Sequence, residues 1–385
     1  MLTNSDVVEL TEFRRHLHRH PEVSGEEAWT AAEVTRALKA IGAPLVVTGL
    51  GGHGVAAVWQ GAEAGETVMF RSELDALPIT DQSGAEWAST IAGKGHQCGH
   101  DGHSTIMLGL ARLIARRPPA KGRVVILFQP SEEDGAGAAA VLADPQFEAI
   151  RPDWAYSLHN FPGLPLGEMA IEAGDANCAS RGLKVVLEGH TSHASTPEHA
   201  LSPALSLARL IPAVMAAGPG GADLGPDFRL VTVTHASMGE QAFGITPGRA
   251  ELWMTLRTVR DEAMAALLSE VTGLIEAECA ATGLRASFSH HDIFQACVNE
   301  ASACEVLRRA AEATGMKQCK AQFPMRGSED FGLFGSRGGA RAAMFRLGSG
   351  VTAPKLHNPD YDFPDSLIAP AVHVFEHVLR EHLGG

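Results

Sequence analysis

Short apolar segments alternate with amphipathic stretches of helical period along the first half of the chain. This pattern predicts strands at residues 54–59, 67–70 and 123–128 and helices at residues 11–20, 26–41 and 104–115. Pro21 and Gly42 stand where the first two helices should end. Strands that alternate with helices predict an α/β sheet with helices on both of its faces over about the first 175 residues.

The order of the predicted elements changes after residue 179. A strand at 183–187, a helix at 203–216, strands at 228–234 and 250–256, a helix at 261–279 and a strand at 285–289 give the order βαββαβ. This order predicts a small α+β domain of the ferredoxin-like kind. A helix at 301–314, a strand at 342–347 and a helix at 370–383 restore the first pattern. We therefore predict a discontinuous catalytic domain, residues 1–178 and 294–385, and an inserted satellite domain, residues 179–293.

The composition is that of a globular protein with an acidic balance. Of the 385 residues 45% are hydrophobic and 20% are charged, and the formal net charge is −14. No run of five basic residues occurs, which argues against nucleic acid as a partner. The start has no signal-peptide pattern, and no apolar stretch approaches the ~20 residues of a membrane helix, so no membrane partner is expected. Six cysteines without paired framework spacing favour a reducing cytoplasm.

Side chains that bind metals follow several of the predicted strands. Asp75, the pair Glu132 and Glu133, His159 and His357 each come shortly after an apolar segment. Because the strands of an open α/β sheet place their carboxyl ends along one edge, where ligands bind, we expect these side chains to meet there. The sequence therefore predicts a metal site at the sheet edge.

The glycine-rich segment 95–103 adds a thiol and several imidazoles. Cys98 and His100 stand two apart, and the glycines let the backbone bring both side chains to one point. A thiolate with imidazoles and carboxylates favours Zn, Mn, Co or Ni over Mg or Ca. Taken alone, Cys98 could equally be a small buried side chain, and His100 could be a residue at a helix start. The other predicted donors at the sheet edge favour metal binding by both residues. For His96 and His103 the favoured functional role is hydrogen bonding to ligands.

The adjacent carboxylates Glu132 and Glu133 suggest two different roles. In an extended segment Glu132 and Glu133 would point apart, so that one binds metal while the other acts as a general base. The alternative is a solvated acidic turn. Two cations at this edge would supply the chemistry of amide hydrolysis. Asp75 could orient a ligating imidazole, or it could cap a turn before Pro78.

Candidate substrate contacts come from two other segments. His193, in the loop 189–197, could donate a hydrogen bond to an oxyanion, although an ordinary loop histidine is favoured by the local pattern alone. Arg257 and the segment 326–331, which includes Ser328 and Glu329, could contact a substrate carboxylate or order the site. Surface ion pairing is an equally good explanation of these residues.

Several motifs, in order along the chain, resemble the M20 family of metallopeptidases and, within it, the aminoacylase and hippurate hydrolase branch with the auxin-conjugate amidohydrolases. They are residues 16–22, 74–78, 98–103, 128–130 with 132–133, 159–160, 327–331 and 356–359. The resemblance implies two divalent metal ions and Glu132 as the general base, with Asp75 supporting a ligand. It also implies a homodimer formed through the satellite, in which His193 stabilises the oxyanion of the partner subunit's site. The ligands it implies are Cys98, His100, Glu133, His159 and His357.

Four positions depart from this branch. Gly244 stands where an asparagine is common, Glu73 stands where an aspartate is usual, and Thr191 and Ser192 stand where glycines are common. The ligands and the base are intact, so the departures bear on specificity rather than on activity.

We therefore expect a cytoplasmic dinuclear metal-dependent amidohydrolase that cleaves the amide bond of N-acyl amino acids or related small amides. A dipeptidase or aminopeptidase of the same family and a non-catalytic metal-binding scaffold are the alternatives. A further alternative makes Cys98 a nucleophile, with His100 or His103 as its base.

Overall fold

The computed structural model describes residues 1–385, which form two compact units. The first unit consists of residues 1–176, 298–322 and 330–385, and the second consists of residues 177–297 and 323–329. The sequence places the domain boundaries at 178/179 and 293/294, whereas the chain changes unit at 176/177 and 297/298. The segment 323–329, which the sequence assigns to the catalytic domain, belongs to the second unit. Ser328 and Glu329 are therefore residues of the second unit.

The strands and helices are numbered in chain order. The strands are β1 (Leu45–Leu50), β2 (Gly54–Gln60), β3 (Glu63–Glu73), β4 (Lys121–Gln129), β5 (Trp154–Phe161), β6 (Met169–Ala170), β7 (Gly174–Asn177), β8 (Ala179–Glu188), β9 (Ser192–His193), β10 (Arg229–Met238), β11 (Ile245–Thr246), β12 (Arg249–Thr258), β13 (Arg285–Phe294), β14 (Cys297–Asn299) and β15 (Arg341–Gly348). The helices are α1 (Asn4–Arg19), α2 (Ala28–Ile41), α3 (His100–Arg116), α4 (Gly137–Ala143), α5 (Ala204–Ala217), α6 (Asp261–Thr282), α7 (Ala301–Thr314), α8 (Gly332–Ser336) and α9 (Ile368–Leu383). None of these helices combines the length and the apolar composition that crossing a membrane requires.

A seven-stranded sheet organises the first unit. Its strand order is β1-β2-β4-β3-β5-β15-β6, and the four central strands β4, β3, β5 and β15 are parallel. Val68 and Phe70 of β3 pack into the core formed with α3 and α9, while Met69 between them is also fully buried. Since successive side chains of a strand point to opposite faces, both faces of the sheet are covered. The predicted fold class is confirmed.

Helix termini explain where the predicted and observed bounds differ. The sequence starts the first helix at residue 11, but Thr3 and Asp6 form a capping box that starts α1 at Asn4. Gly42 adopts a left-handed conformation and ends the next helix, α2, where the sequence predicts. A local cap can therefore add two turns that hydrophobic periodicity does not reveal.

The second unit is built on a four-stranded antiparallel sheet. Its strand order is β10-β12-β8-β13, and α5 and α6 cover one face around buried Leu183, Val185 and Leu252. The main elements follow the predicted order βαββαβ. The short strands β9 and β11 pair outside this sheet, with His193 opposite Ile245.

Candidate metal centre

The predicted metal-binding side chains of the first unit meet at the carboxyl edge of its parallel strands. Asp75 follows β3, Glu132 and Glu133 follow β4, and His159 lies near the end of β5. Cys98 and His100 stand at the start of α3, where Gly99 adopts a φ of 89° that favours glycine. His357 comes from the loop after β15. All of these residues belong to the first unit.

The donor atoms of the five predicted ligands lie close together. Cys98 Sγ is 3.4 Å from His159 Nε2, and His357 Nε2 is 3.5 Å from Glu133 Oε2. Two groups of three donors, each with its ligand atoms within 4.8 Å of one another, share Cys98 and together contain all five residues: Cys98, His100 and His159 form the first group, and Cys98, Glu133 and His357 form the second. Two adjacent groups of this kind support binding of two divalent metal ions.

His100 is oriented by a dense set of hydrogen bonds. Its Nδ1 donates to the backbone oxygen of Asp75 at 2.8 Å and lies 3.4 Å from Asp75 Oδ1. Asp75 Oδ2 in turn accepts from Ser24 Oγ at 2.7 Å and from the backbone N–H of Glu133 at 2.9 Å. His100 Nε2 and Glu133 Oε1 are buried and have no hydrogen-bond partner in the protein. Two buried polar atoms left this way beside a thiol fit a cation.

The expectation of an extended segment at the adjacent carboxylates is wrong. Residues 132–135 form a turn, and Ser131 before them has a positive φ of 51°. The backbone N–H of Ser131 donates to Glu27 Oε1 at 2.8 Å, which holds this uncommon conformation. As a result Glu132 and Glu133 do not point apart, and a carboxylate oxygen of each lies 3.8 Å from His100 Nε2.

His357 is the most exposed of the five predicted ligands. Its side chain is 51% exposed, and its backbone has a positive φ of 64°. Its N–H donates to the backbone oxygen of Gln97 at 3.0 Å, next to Cys98. The loop after β15 is thereby attached to the loop that carries the cysteine, although 260 residues of chain separate Gln97 from His357.

The pKa shifts of these side chains show how strongly the groups of the cluster interact. Burial lowers the pKa of His100, but the hydrogen bond with Asp75 and the charges of Glu73 and Glu133 outweigh it and raise the pKa to about 10. Burial and the neighbouring His103 lower the pKa of His159 to about 3. Burial, together with Glu133 and Glu132, raises the pKa of the Cys98 thiol well above its usual range. Bound cations would offset the mutual repulsion of the thiolate and the carboxylates.

The same geometry argues against Cys98 as a nucleophile. A reactive cysteine needs a lowered thiol pKa, whereas that of Cys98 is raised. His100 Nδ1 is bonded to Asp75, and both ring nitrogens of His103 are engaged, with Glu73 Oε2 at 2.6 Å and with the N–H of Asn160 at 3.2 Å. His103 has no ring nitrogen left to act as a base, and His100 makes no hydrogen bond with the thiol.

The predicted substrate contacts of the second unit have a different environment. His193 is exposed in β9, and its Nδ1 lies 2.7 Å from Ser195 Oγ. Arg257 Nη1 donates to the backbone oxygen of Arg326 at 2.8 Å and to Ser328 Oγ at 2.9 Å. Burial lowers the pKa of Arg257, which has no carboxylate partner. Glu329 is buried.

A buried network in the first unit was missed by the sequence analysis. Arg71 pairs with Glu73 and with Asp330, and its Nε donates to Gln129 Oε1 at 2.9 Å. Asp330 Oδ2 also accepts from the N–H of Ala138 at 2.8 Å. A signal for part of it exists, because Arg71 and Glu73 alternate along β3 and so share one face. The partnership of residues 71 and 330 has no local signal.

Comparisons with known proteins agree with this geometry. The model of the peptidase family M20/M25/M40 matches residues 69–381. The chain is 31% identical over 327 residues to the N-acetyl-L-cysteine deacetylase of Bacillus subtilis, covering 85% of this chain and 77% of that protein. It is 26% identical over 377 residues to the hippurate hydrolase of Campylobacter jejuni, covering 97% of each. The crystal structure of the Bacillus subtilis YXEP protein, described as a dinuclear metal binding peptidase, matches with a TM-score of 0.81 and 25% identity over 99% of both chains.

Proposed function

Because the chain belongs to the peptidase family M20/M25/M40, we propose that it hydrolyses the amide bond of small N-acyl amino acids with two divalent metal ions as its cofactors. Membership confirms the resemblance that the motifs carry and the expected class of enzyme, a metal-dependent hydrolase of amide bonds. The names of two relatives, N-acetyl-L-cysteine deacetylase and hippurate hydrolase, support an N-acyl amino acid as the substrate class.

The convergence of the five donors is the observation that carries this proposal. We assign Cys98, His100 and His159 to one cation and Cys98, Glu133 and His357 to the other, as the two donor groups suggest. The mixture of sulfur, nitrogen and oxygen donors favours Zn, Mn, Co or Ni. When bound, such ions lower the pKa of water and polarise a carbonyl group.

Glu132 acts as the proton carrier in this proposal. It is buried, and its Oε2 lies 3.8 Å from His100 Nε2, beside the ligands. Glu132 accepts a proton from the water whose oxygen bonds to the carbonyl carbon, and it delivers that proton to the amide nitrogen as the C–N bond breaks. The products are a carboxylate and an amine. Asp75 holds His100 and the Glu133 backbone in place during these steps.

The second unit supplies the contacts with the rest of the substrate. We assign Arg257 and Ser328 to the substrate carboxylate, because a half-buried guanidinium without a carboxylate partner is suited to an anion. Glu329, the next residue along the chain, is assigned to ordering this part of the site. His193 donates a hydrogen bond to the oxyanion in the active site of the partner subunit. Gly244, which stands where the related branch carries asparagine, leaves room that can alter substrate preference.

A homodimer through the second unit follows from this assignment. Strand β10 is an edge strand of its sheet, and exposed apolar side chains lie on and near it. They are Met238, Phe243, Ile245 and Trp253. The first residues of β10 bond to residues 218–220, and the rest of this edge strand, with its exposed apolar groups, supports pairing with a second copy. The spacing of the cysteines supports a cytoplasmic location.

One experiment tests the reaction and the cofactor together. The purified protein is assayed on N-acetyl, N-benzoyl and indole-acetyl amino acids and on dipeptides, with the metal content of the same sample measured. We expect turnover of at least one acyl amino acid, about two metal ions per subunit, and loss of turnover on chelation that added metal reverses. Hydrolysis that survives metal removal but stops on thiol alkylation would support the Cys98 nucleophile instead. Bound metal without turnover of any of these compounds would support the scaffold.

A further inference from the structure

Beneath the donor groups, a chain of buried hydrogen bonds joins β3, α3 and β5. Glu73, the last residue of β3, is fully buried, and its Oε1 pairs with Arg71 Nη1. Its Oε2 lies 2.6 Å from Nδ1 of His103, which is 1% exposed. His103 Nε2 then accepts the backbone N–H of Asn160 at 3.2 Å. Since Nε2 accepts, Nδ1 carries the proton and donates it to Glu73, and the tautomer of His103 is fixed.

Asn160 connects this chain to two of the proposed ligands. Its Nδ2 donates to the backbone oxygen of Cys98 at 3.0 Å, and its own backbone oxygen accepts from His159 Nδ1 at 2.8 Å. The second bond leaves His159 Nε2 directed at Cys98 Sγ, 3.4 Å away. Asn160 thus makes one hydrogen bond to each of the Cys98 turn, His159 and His103.

The space around Asn160 is also closed. A Cβ atom at Gly99 would lie 2.1 Å from Asn160 Oδ1, so only glycine allows the Cys98 turn to approach this closely. The positive φ of 89° at Gly99 imposes the same requirement. The turn and the strand end are therefore held together both by hydrogen bonds and by contact.

We propose that Glu73, His103 and Asn160 form a positioning relay that sets the affinity of the cation held by Cys98, His100 and His159. This inference rests on the ligand assignment of the proposed function. The relay contacts Cys98, which both proposed cations share, and His159, which belongs to only one of them, so it should weaken that one binding step more than the other. It also gives a reason for glutamate at position 73: its length and charge satisfy two donors, Arg71 Nη1 and His103 Nδ1.

Two variants break the relay in different ways. His103→Phe keeps the ring volume and removes both hydrogen bonds. Glu73→Gln keeps the length, but its amide has one acceptor oxygen for two donors, so either Arg71 or His103 loses its partner or His103 changes tautomer. Ser157→Ala is the matched control, because Ser157 of β5 is buried and its Oγ donates to the backbone oxygen of Arg71 in β3 at 3.0 Å, with no hydrogen bond to the relay or to a proposed ligand.

The measurement is a Co²⁺ titration of the metal-free full-length protein. Visible absorption of bound Co²⁺ reports the ligand set, and competition with a chelator gives the two dissociation constants. We expect His103→Phe and Glu73→Gln to weaken one binding step by about 10–100-fold and the other, which shares only Cys98 with the relay, by distinctly less. Ser157→Ala should leave both steps unchanged, even where its thermal stability falls as much as that of the other variants.

The outcomes separate the relay from the metal centre. Wild-type affinity for both ions in the folded His103→Phe and Glu73→Gln variants would overturn the relay and leave the metal centre in place. Equal weakening of both steps, matched by Ser157→Ala, would overturn it as well, because the effect would then be general destabilisation. A wild-type protein that binds no Co²⁺ would overturn the ligand assignment and the relay together.

Discussion

The metal edge of the first unit and the His193 loop of the second unit hold their functional side chains in very different ways. At the metal edge the Nδ1 atoms of His100 and His159 each donate to a backbone oxygen, which fixes the tautomers of both imidazoles. His193 is exposed, and its one side-chain partner is Ser195, two residues away. The side chains proposed to bind a cation are held in place by the fold itself, whereas the side chain proposed to contact the oxyanion can remain adjustable.

Glu132→Gln should produce the largest effect, and it tests the metal edge of the first unit. The variant keeps the size of the side chain and removes the proton carrier, so we expect turnover to fall by about 10²–10⁴-fold with the metal content unchanged. Steady-state kinetics and metal analysis on one preparation check this. Loss of metal together with activity would make Glu132 a ligand rather than a base.

His193→Ala tests the other side of the comparison. Loss of one hydrogen bond to the oxyanion should lower kcat by about 10²-fold, with little change in metal content. Mixing this variant with Glu132→Gln under conditions of subunit exchange should restore turnover, because one site of each mixed dimer then combines an intact Glu132 with an intact His193 from the partner. A mixture as inactive as its components would contradict action across subunits, and unchanged kinetics of His193→Ala alone would make it an ordinary loop histidine.

His18, a buried histidine of the first unit, should make the stability of the protein depend on pH. In the first unit, burial lowers the pKa of His18, but Asp101 at 2.8 Å and Asp81 at 3.1 Å outweigh it and raise the pKa from 6.5 to about 9. His18 therefore contributes stability that is complete below pH 6.5 and is lost as the pH rises through about 9. The loss corresponds to roughly 3 kcal/mol.

Urea unfolding of the metal-loaded protein at about pH 6 and about pH 9.5 measures this loss. His18→Gln is the control, since it has no proton to release and should show a smaller difference between the two conditions. Equal pH dependence in the variant and the wild type would assign the effect to other groups.

The extent to which the sequence predicts this molecule depends on the range of the interactions involved. The helix α7 was predicted at its observed bounds, 301–314, because its amphipathic period and the glycine after it are local signals. The edge where ligands converge was also predictable, since strand ends share an edge. The turn at residues 132–135 was not, because it depends on Glu27 holding the Ser131 backbone from a position 104 residues away. Asn160 and Asp330 lie in segments that the sequence singles out, but their hydrogen-bond partners were not predicted for the same reason: the tertiary fold sets those partners.

Arg257→Lys should have the smallest effect. It tests the second unit separately from the metal edge, because we expect it to change substrate recognition alone. Lysine keeps the positive charge but loses the planar fork that binds a carboxylate and Ser328 at once. We expect KM for an N-acyl amino acid to rise about 10-fold with kcat nearly unchanged, and KM for the corresponding N-acyl amino amide, which has no carboxylate, to stay the same. Arg209→Lys, at a surface pair with Glu278, is the control for a general effect of the substitution. An equal rise in KM for the acid and the amide would mean that Arg257 shapes the second unit through the 326–328 backbone instead of recognising the anion.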